Sequence, residues 1–482
     1  MEKLYIEPID ECFVRVRCES YIAQELSDHF TFTVPGAQFM PAVRNKVWDG
    51  KIRLYSMLPQ TIYKGLIGYV LRFAEKRNYE VHVSEELHTS ISLDDDSIDK
   101  FVESLCLPFT PRQYQIDAFK YAIENERGLL LSPTASGKSF IIYLITQWFK
   151  QKRKLVIVPT TSLVFQMRSD FISYGAKEED IHIIMAGCEK NSDLEIVITT
   201  WQSIYKMPKS WFSQFEVVIG DEAHLFKAKS LTTIMTNLSQ CKYRYGFTGT
   251  LDGTQTHKLV LEGLFGAVKK VTTTAQLIEE QHLSPFKIKC LILQYKDEER
   301  KLMSKAKYHE EMDFIVRNEQ RNKFIQNLTF SLKGNTLILF QFVDKHGKVI
   351  FDNLKAKSHK DRKVFFVHGG VDAEDREQVR KIVAQESDAI IVASYGTFST
   401  GINIPEIHNI IFASPSKSLI RVLQSIGRGL RKSSEKEIAI LYDISDDLSW
   451  KEQKNHTIKH FAERIKIYTD EQFEYKFYPY KL

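Results

Sequence analysis

From about Phe109 onward, short β-branched runs alternate with stretches of helical periodicity, the pattern of parallel sheets covered by crossover helices. Two such series follow one another. The first holds GLLLSPT, KLVIVPT, LEIVITT, FEVVIGDE and YRYGFTGT; the second holds FKIKCLILQY, NTLILFQF, KVFFVHGG, AIIVASY, NIIFASP and EIAILYDI. Each is about the size of one doubly wound α/β domain, and the join falls near Gln281 to Pro285. Before Phe109 the alternation is absent, which predicts a separate small α+β module ending at the acidic SLDDDSIDK stretch and Pro108. After Ile444 the pattern turns polar and helical as far as Ile467, then ends in the aromatic FEYKFYPYKL. The expected organisation is therefore an α+β domain over 1–107, α/β domains over 108–283 and 284–445, and a helical segment over 446–482. No short-period repeat or long low-complexity linker interrupts it.

Composition narrows the class without choosing a function. A chain of 482 residues, 43% hydrophobic and 26% charged, is long enough for about three globular cores. No stretch approaches the roughly twenty apolar residues that cross a bilayer, and MEKLYIEPIDECF carries acids where a secretion signal needs an apolar core. A soluble, cytoplasmic protein with no membrane partner is expected. The six cysteines are scattered without a Cys-x-x-Cys pair, which points to reduced packing thiols rather than a zinc or redox centre. A net charge of +5 permits a polyanionic partner and does not require one.

Chemistry enters with PTASGKS, residues Pro133 to Ser139, and with Asp221-Glu222-Ala223-His224 at the end of a second apolar run. Pro133 and Thr134 open a turn in which Ala135, Ser136 and Gly137 let backbone N–H groups approach phosphates at the positive end of the following helix. Lys138 supplies a point charge for the β- and γ-phosphates, and the Ser139 hydroxyl suits Mg²⁺. Val217-Val218-Ile219 would deliver Asp221 to the metal shell and leave Glu222 beside the γ-phosphate to polarise water. Taken alone, PTASGKS also fits a strand-to-helix turn with a surface lysine, and Ser132 stands where the general pattern has its first glycine. The second motif makes an ATP engine the stronger reading. QSIGRGLR adds Gly427 and Gly429 around Arg428, a spacing that lets a rigid guanidinium fork project; alone it also fits a solvated basic helix end.

These motifs stand in the order found in superfamily 2 helicases of the DExH type, which the chain resembles from Phe109 to Lys432. The resemblance implies two tandem RecA-like phosphate-loop domains using ATP and Mg²⁺. It implies that Gln115 in FTPRQYQIDAF reads adenine with support from Arg112, and that Thr160, Thr161, Thr199, Thr200 and Gln202 hold a nucleic-acid backbone. Thr248-Gly249-Thr250 would couple hydrolysis to domain movement, and His224 would join the catalytic set. ASYGTFSTGINIP would bring Thr397, Ser399, Thr400 and Gly401 toward strand and nucleotide, and QSIGRGLRK would bring Gln424, Arg428 and Arg431 toward the phosphates. Two positions depart from the pattern: Ala135 replaces a frequent glycine, and the coupling motif begins Thr-Gly rather than Ser-Ala.

The N-terminal module resembles, more narrowly, the UvsW family of recombination and repair helicases of T-even bacteriophages, on the signature FMPAVRNKVWDGKIRLY. Between Gln38 and Arg77, Arg44, Lys46, Lys51, Arg53, Lys64, Arg72, Lys76 and Arg77 face only Asp49 and Glu75, with Phe39, Trp48, Tyr55 and Tyr63 interleaved. That mixture suits phosphates and stacked bases; a curved sheet with Trp48 in its core and solvated bases is the other reading. The family resemblance implies a monomeric, ATP-dependent helicase acting on branched DNA, RNA-DNA hybrids included, beside single-strand-binding or recombination proteins. An RNA remodeller of the same superfamily and a non-enzymatic, nucleotide-regulated clamp are the alternatives.

Overall fold

The computed structural model describes residues 2–87, 91–185, 187–251, 254–358, 362–371, 378–379, 381–383, 385–399, 407–415 and 438–482. It divides into two compact units, Met1–Ser132 with Gly137–Val271, and Pro133–Ser136 with Thr272–Leu482.

The first unit begins with β1 (Lys3–Pro8), β2 (Phe13–Arg17), β3 (Thr31–Thr33), β4 (Lys51–Arg53), β5 (Tyr55–Ser56), β6 (Thr61–Tyr63) and β7 (Glu80–Val83). Five of these form a sheet in the order β5-β6-β2-β1-β7, while β3 and β4 pair as a separate antiparallel ladder. Period-two alternation puts Leu4, Ile6, Val14 and Val16 on one face. That face meets the apolar stripes of the helices Ser20–His29 and Ile67–Glu75.

The same unit continues with β8 (Arg127–Leu131), β9 (Lys154–Val158), β10 (Ile181–Ile184), β11 (Ile196–Thr200), β12 (Val217–Gly220), β13 (Tyr243–Thr248) and β14 (Val268–Lys270). All pair in parallel, in the order β10-β11-β9-β12-β13-β8-β14. The central strands β9, β11 and β12 are buried at every position, as expected of strands covered on both faces. The five apolar runs named above are β8, β9, β11, β12 and β13. The two short strands β10 and β14 do not stand out as runs, because IHII is interrupted by histidine and VKK has one apolar residue.

The α+β module is not a separate body. Glu11 accepts hydrogen bonds from Lys64 Nζ (2.7 Å) and from Arg127 Nη2 at the start of β8 (3.0 Å), and its backbone N–H reaches the Ser239 carbonyl at 2.9 Å. Arg244 of β13 is fully buried and directs Nη2 to Cys12 Sγ at 3.0 Å. Tyr69 donates to the Glu262 carboxylate at 2.6 Å, and a Cβ at Gly65 would fall 2.0 Å from the Glu262 carbonyl oxygen. One apolar cluster spans the seam, from Leu4 and Phe73 to Phe226 and Phe265. Burial, and then the neighbouring Arg244, pull Arg127 down to about 10, with Glu11 opposing.

The second unit repeats the parallel plan with β15 (Phe286–Gln294), β16 (Thr336–Phe340), β17 (Val364–Val367), β18 (Ile390–Ser394), β19 (Asn409–Phe412), β20 (Ala439–Asp447) and β21 (Glu474–Lys481), in the order β17-β18-β16-β19-β20-β15-β21. The fold is two tandem RecA-like domains preceded by the α+β domain. The helix expected after residue 445 is present, and the segment adds a strand that was not expected. The helix His456–Asp470 is followed by β21, which pairs with β15 over eight residues as an edge strand, where Pro479 is tolerated because its missing N–H faces away from the ladder. The helix itself is tied to the sheet by Arg464, which donates from Nε and Nη2 to the Asp443 carboxylate, both at 2.8 Å. No helix among the described residues is long and apolar enough to cross a membrane.

Candidate nucleotide and nucleic-acid site

Parallel strands deliver their C-terminal ends to one edge, and the ATP motifs of the first unit sit there on three adjacent strands, β12, β13 and β8. β8 runs out into PTASGKS. Ser136 closes the turn by donating both its N–H (3.3 Å) and its Oγ (2.7 Å) to the Pro133 carbonyl. Ala135 and Gly137 take left-handed backbone angles, φ +67° and +80°, before the helix Lys138–Trp148 begins. Gln115 packs directly on this turn: a Cβ at Gly137 would lie 2.4 Å from its Nε2. Its Oε1 accepts the Arg112 N–H at 3.0 Å, and Arg112 Nη1 donates to Tyr114 Oη at 2.8 Å. Gln115 is buried beside Gly137, at the start of the helix Lys138–Trp148.

From the end of β12, Asp221 and Glu222 face Lys138. Lys138 Nζ lies 3.3 Å from Glu222 Oε1, and Glu222 Oε2 lies 3.3 Å from His224 Nδ1. His224 Nδ1 also meets Thr248 Oγ1 at 3.0 Å, and Thr248 Oγ1 donates to the Thr250 carbonyl at 2.9 Å. A single chain of polar contacts thus joins Lys138, Glu222, His224, Thr248 and Thr250. Glu222 holds φ +49°, a strained angle for a side chain of its size that aims the carboxylate at Lys138. Burial alone would raise Glu222; the Lys138 ammonium and His224 outweigh it and hold the carboxyl below the ordinary range. Burial pushes Asp221 the other way, upward, against the pull of Lys138. The two neighbouring carboxyls are therefore driven apart in acidity, Asp221 upward and Glu222 downward.

Ser139 Oγ contacts Tyr174 Oη at 2.9 Å, a partner absent from the motif reading. Tyr174 ends the helix Thr161–Tyr174 and sits among Phe109, Phe140 and Tyr143. Aromatic spacing alone does not announce such a contact, since it depends on how two helices cross.

The profile for the UvsW DNA helicase N-terminal domain matches residues 5–84, that for the type III restriction enzyme res subunit matches 108–253, and that for the helicase conserved C-terminal domain matches 319–433. The ATP-dependent DNA helicase uvsW of Enterobacteria phage T4 is 34% identical over 97% of this chain and 97% of its own. The chain belongs to the UvsW family of DNA helicases. The crystal structure of T4 UvsW superposes over 99% of both chains at 32% identity, with a TM-score of 0.53. A DNA 3'-5' translocase, XPB2 of Sulfurisphaera tokodaii, is 23% identical over 82% of this chain and 91% of its own.

Within this UvsW-family frame, the expected nucleic-acid residues separate into exposed and internal sets. Thr160 precedes the helix Thr161–Tyr174 with its Oγ1 3.1 Å from Ser162 Oγ, and Thr161 and Gln202 are exposed. Thr199 is a correction: it is fully buried, and its hydroxyl donates to the carbonyls of Ile184 and Thr200. Thr200 and Thr397 are likewise buried, with Oγ1 against Ser203 Oγ (3.0 Å) and Ser394 Oγ (2.8 Å). These hydroxyls fix strand ends, and of the expected set Thr161 and Gln202 are the ones whose side chains face outward. Gly401, Gln424, Arg428 and Arg431 lie outside the described residues.

The UvsW-type N-terminal patch resolves in the same way. Arg44, Lys46, Lys51 and Arg53 are exposed in and beside the loop joining β3 to β4, and Trp48 is half-buried with Nε1 donating to the Lys51 carbonyl at 3.0 Å. Arg53 is paired with Asp49. Tyr55 is core and Tyr63 packs on Gly263, so neither offers a stacking face. Lys64 belongs to the Glu11 seam, and Arg77 pairs with Glu25 while lying over Phe73. Of the eight bases in the sequence patch six remain exposed without such a seam partner: Arg44, Lys46, Lys51 and Arg53 on this loop and its edge strand, and Arg72, which lies over Tyr69, and Lys76 at the end of the helix Ile67–Glu75.

Proposed function

We infer that this chain, an ATP-dependent DNA helicase, unwinds and remodels branched nucleic acid such as forks, four-way junctions, displacement loops and RNA-DNA loops in recombination, repair and replication. The observation that carries the reading is the continuous path Lys138–Glu222–His224–Thr248 on adjacent strand ends, in a chain aligned over 97% of its length with a DNA helicase. Lys138 holds the β- and γ-phosphates, Glu222 polarises the attacking water, and the His224–Thr248 contact passes the state of that site to β13. Mg²⁺ fits the Ser139 hydroxyl and Asp221 carboxylate, both hard oxygen ligands; two protein groups suffice because phosphate oxygens and water complete such a shell. A metal held by Ser139 and Asp221 would supply positive charge against the charge that develops during phosphoryl transfer. Arg428 and Arg431 would complete that charge stabilisation from the second domain. The protein acts as a monomer in the host cytoplasm, beside single-strand-binding and recombination proteins.

The test compares ATPase stimulation and unwinding on single-stranded DNA, duplex, fork, four-way junction, RNA-DNA loop and structured RNA, with Glu222→Gln protein as the inactive control. Preferential unwinding of the branched DNA substrates is expected. Stimulation confined to structured RNA would make the chain an RNA remodeller, and absent turnover with saturating DNA would make it a clamp.

A further inference from the structure

The loop between β3 and β4 displays apolar side chains that a folded chain ordinarily hides. Phe39 is 76% and Val47 82% exposed, with Met40 at 39%. They are not on a slack segment. The Val34 N–H bonds the Gly50 carbonyl at 2.8 Å and closes the loop, and the N–H groups of Val47 and Trp48 converge on the Ala42 carbonyl at 2.9 and 3.1 Å. Gly36 and Gly50 both take φ +75°, and a Cβ at Gly50 would strike Ala37 at 2.8 Å, so the glycines permit a fold this tight. Lys46 accepts a left-handed φ of +56° to turn the chain beside Val47.

Two rigid apolar tips flanked by Arg44, Lys46 and Lys51, which make no ion pair among the described residues, present two chemistries at once. The cations select a polyanion. The apolar tips gain nothing from a phosphate backbone and need a flat apolar face, which a nucleic acid exposes only where its bases are unstacked. We propose that this loop is a wedge: Phe39 and Val47 enter between bases at the branch point of a DNA junction or fork while Arg44, Lys46 and Lys51 hold the adjoining phosphates. The proposal rests on the branched-DNA reading above and adds to it the residues that open the branch. Because the α+β domain is fixed to the ATP-binding domain by Glu11–Arg127, Cys12–Arg244 and Tyr69–Glu262, the wedge is carried by the domain that binds the nucleotide. ATP-driven movement of that domain is applied directly at the branch.

A fork carrying 2-aminopurine at its branch point tests this with the full chain. Without ATP, wild-type protein should raise the fluorescence by unstacking the probe. Phe39→Ser with Val47→Ser should abolish the rise and slow fork unwinding by about 5- to 150-fold, the range for removing base-stacking contacts. Its single-strand-stimulated ATPase, thermal unfolding and salt slope of fork binding should stay at wild-type values, because every phosphate-binding cation is still in place. Phe39→Leu with Val47→Ile, which keeps apolar tips, should retain the signal and the unwinding. An unchanged fluorescence rise in the double-serine variant overturns the wedge while leaving branched-DNA unwinding intact. A parallel fall in salt slope also overturns it, by placing these residues in phosphate binding. If the wild-type protein fails to unwind branched DNA at all, the functional reading falls and the wedge with it.

Discussion

The nucleotide site and the β3–β4 loop solve opposite problems. At the first, Lys138, Glu222, His224 and Thr248 are half-buried or buried, and each already holds a protein partner. At the second, Arg44, Lys46, Lys51, Phe39 and Val47 face water. A site that stabilises charge in a transition state must be arranged before the substrate arrives, because reorganisation at that moment adds to the barrier. A surface that grips a long polyanion gains by releasing counterions and needs its cations free. The same residue types, basic and acidic, therefore read differently by whether they are paired.

The largest effect expected from breaking the first region is Glu222→Gln. Loss of the polarising carboxylate should lower DNA-stimulated turnover by about 10² to 10⁴-fold, with ATP still bound through Lys138 and the phosphate turn. Steady-state hydrolysis together with nucleotide-binding titration separates these; normal turnover in the variant would remove Glu222 from its role. Junction affinity without nucleotide should not change, which is where the two regions part.

Breaking the second region reverses the signature. With Arg44, Lys46, Lys51 and Arg53 all replaced by alanine, the slope of log affinity for junction DNA against log salt should flatten by up to about 0.9 for each phosphate no longer neutralised. Arg53 should contribute least, being already paired with Asp49. Hydrolysis stimulated by single-stranded DNA should remain. An unaltered slope in the folded variant would make these cations ordinary surface charge.

The seam between the regions comes next. Glu11→Ala leaves Arg127 and Lys64 facing each other without their shared acid, and the three side chains are only partly screened. A loss of about 1 to 3 kcal/mol is expected in denaturant unfolding of the first unit. One cooperative transition should shift as a whole; separate melting of the α+β domain would show that it is a tethered module after all.

How much of this is legible in the sequence follows the same division. PTASGKS and DEAH can be placed because glycine, lysine and acid at fixed spacing have few other uses, and strands β8, β9, β11 and β12 announce themselves by runs of three or more apolar residues, whereas β13, YRYGFT, is legible mainly from its place before the TGT motif, since Arg244 interrupts it. Thr199 and Thr397 turn inward although their motifs suggest contact with a strand, since a motif gives a residue's place in the chain and not the side to which its hydroxyl points. The eight-base patch overcounts free cations for a related reason: Lys64 and Arg77 have acids more than fifty positions away in sequence, Glu11 and Glu25. The Tyr174–Ser139 and Arg244–Cys12 contacts depend on how distant elements pack, for which local pattern carries no signal.

A pH titration sharpens the contrast at smaller amplitude. Burial raises Asp221 above its ordinary value of about 3.9. Native protein therefore holds a proton there that the unfolded chain has released, so this group's contribution to stability falls as pH rises from about 4 through the raised value. Only the ionised form suits a metal, so a bound divalent cation should draw the midpoint for turnover below the Asp221 midpoint of the metal-free protein. Fork binding through arginine and lysine should stay flat from about pH 5 to 8. A common midpoint for hydrolysis and fork binding would deny that the two regions titrate independently.

The smallest effect probes the phosphate turn itself. Ala135 holds φ +67°, a conformation that costs a residue with a Cβ roughly 1 to 2 kcal/mol relative to glycine. Ala135→Gly relieves that strain but enlarges the freedom of the unfolded chain, a counter-cost of about 0.4 to 1 kcal/mol. The balance lies between about zero and about 1.6 kcal/mol of stabilisation, visible as a small rise in thermal midpoint without nucleotide. Saturating ATP analogue should leave the increment intact if the angle is the one the bound phosphates require, and enlarge it if binding demands a still tighter turn. The loop between β3 and β4 should be indifferent, with fork affinity and salt slope unchanged. A drop in stability on introducing glycine would mean that the alanine methyl contributes packing worth more than the strain, and that the departure from the usual glycine is a stabilising feature of this turn.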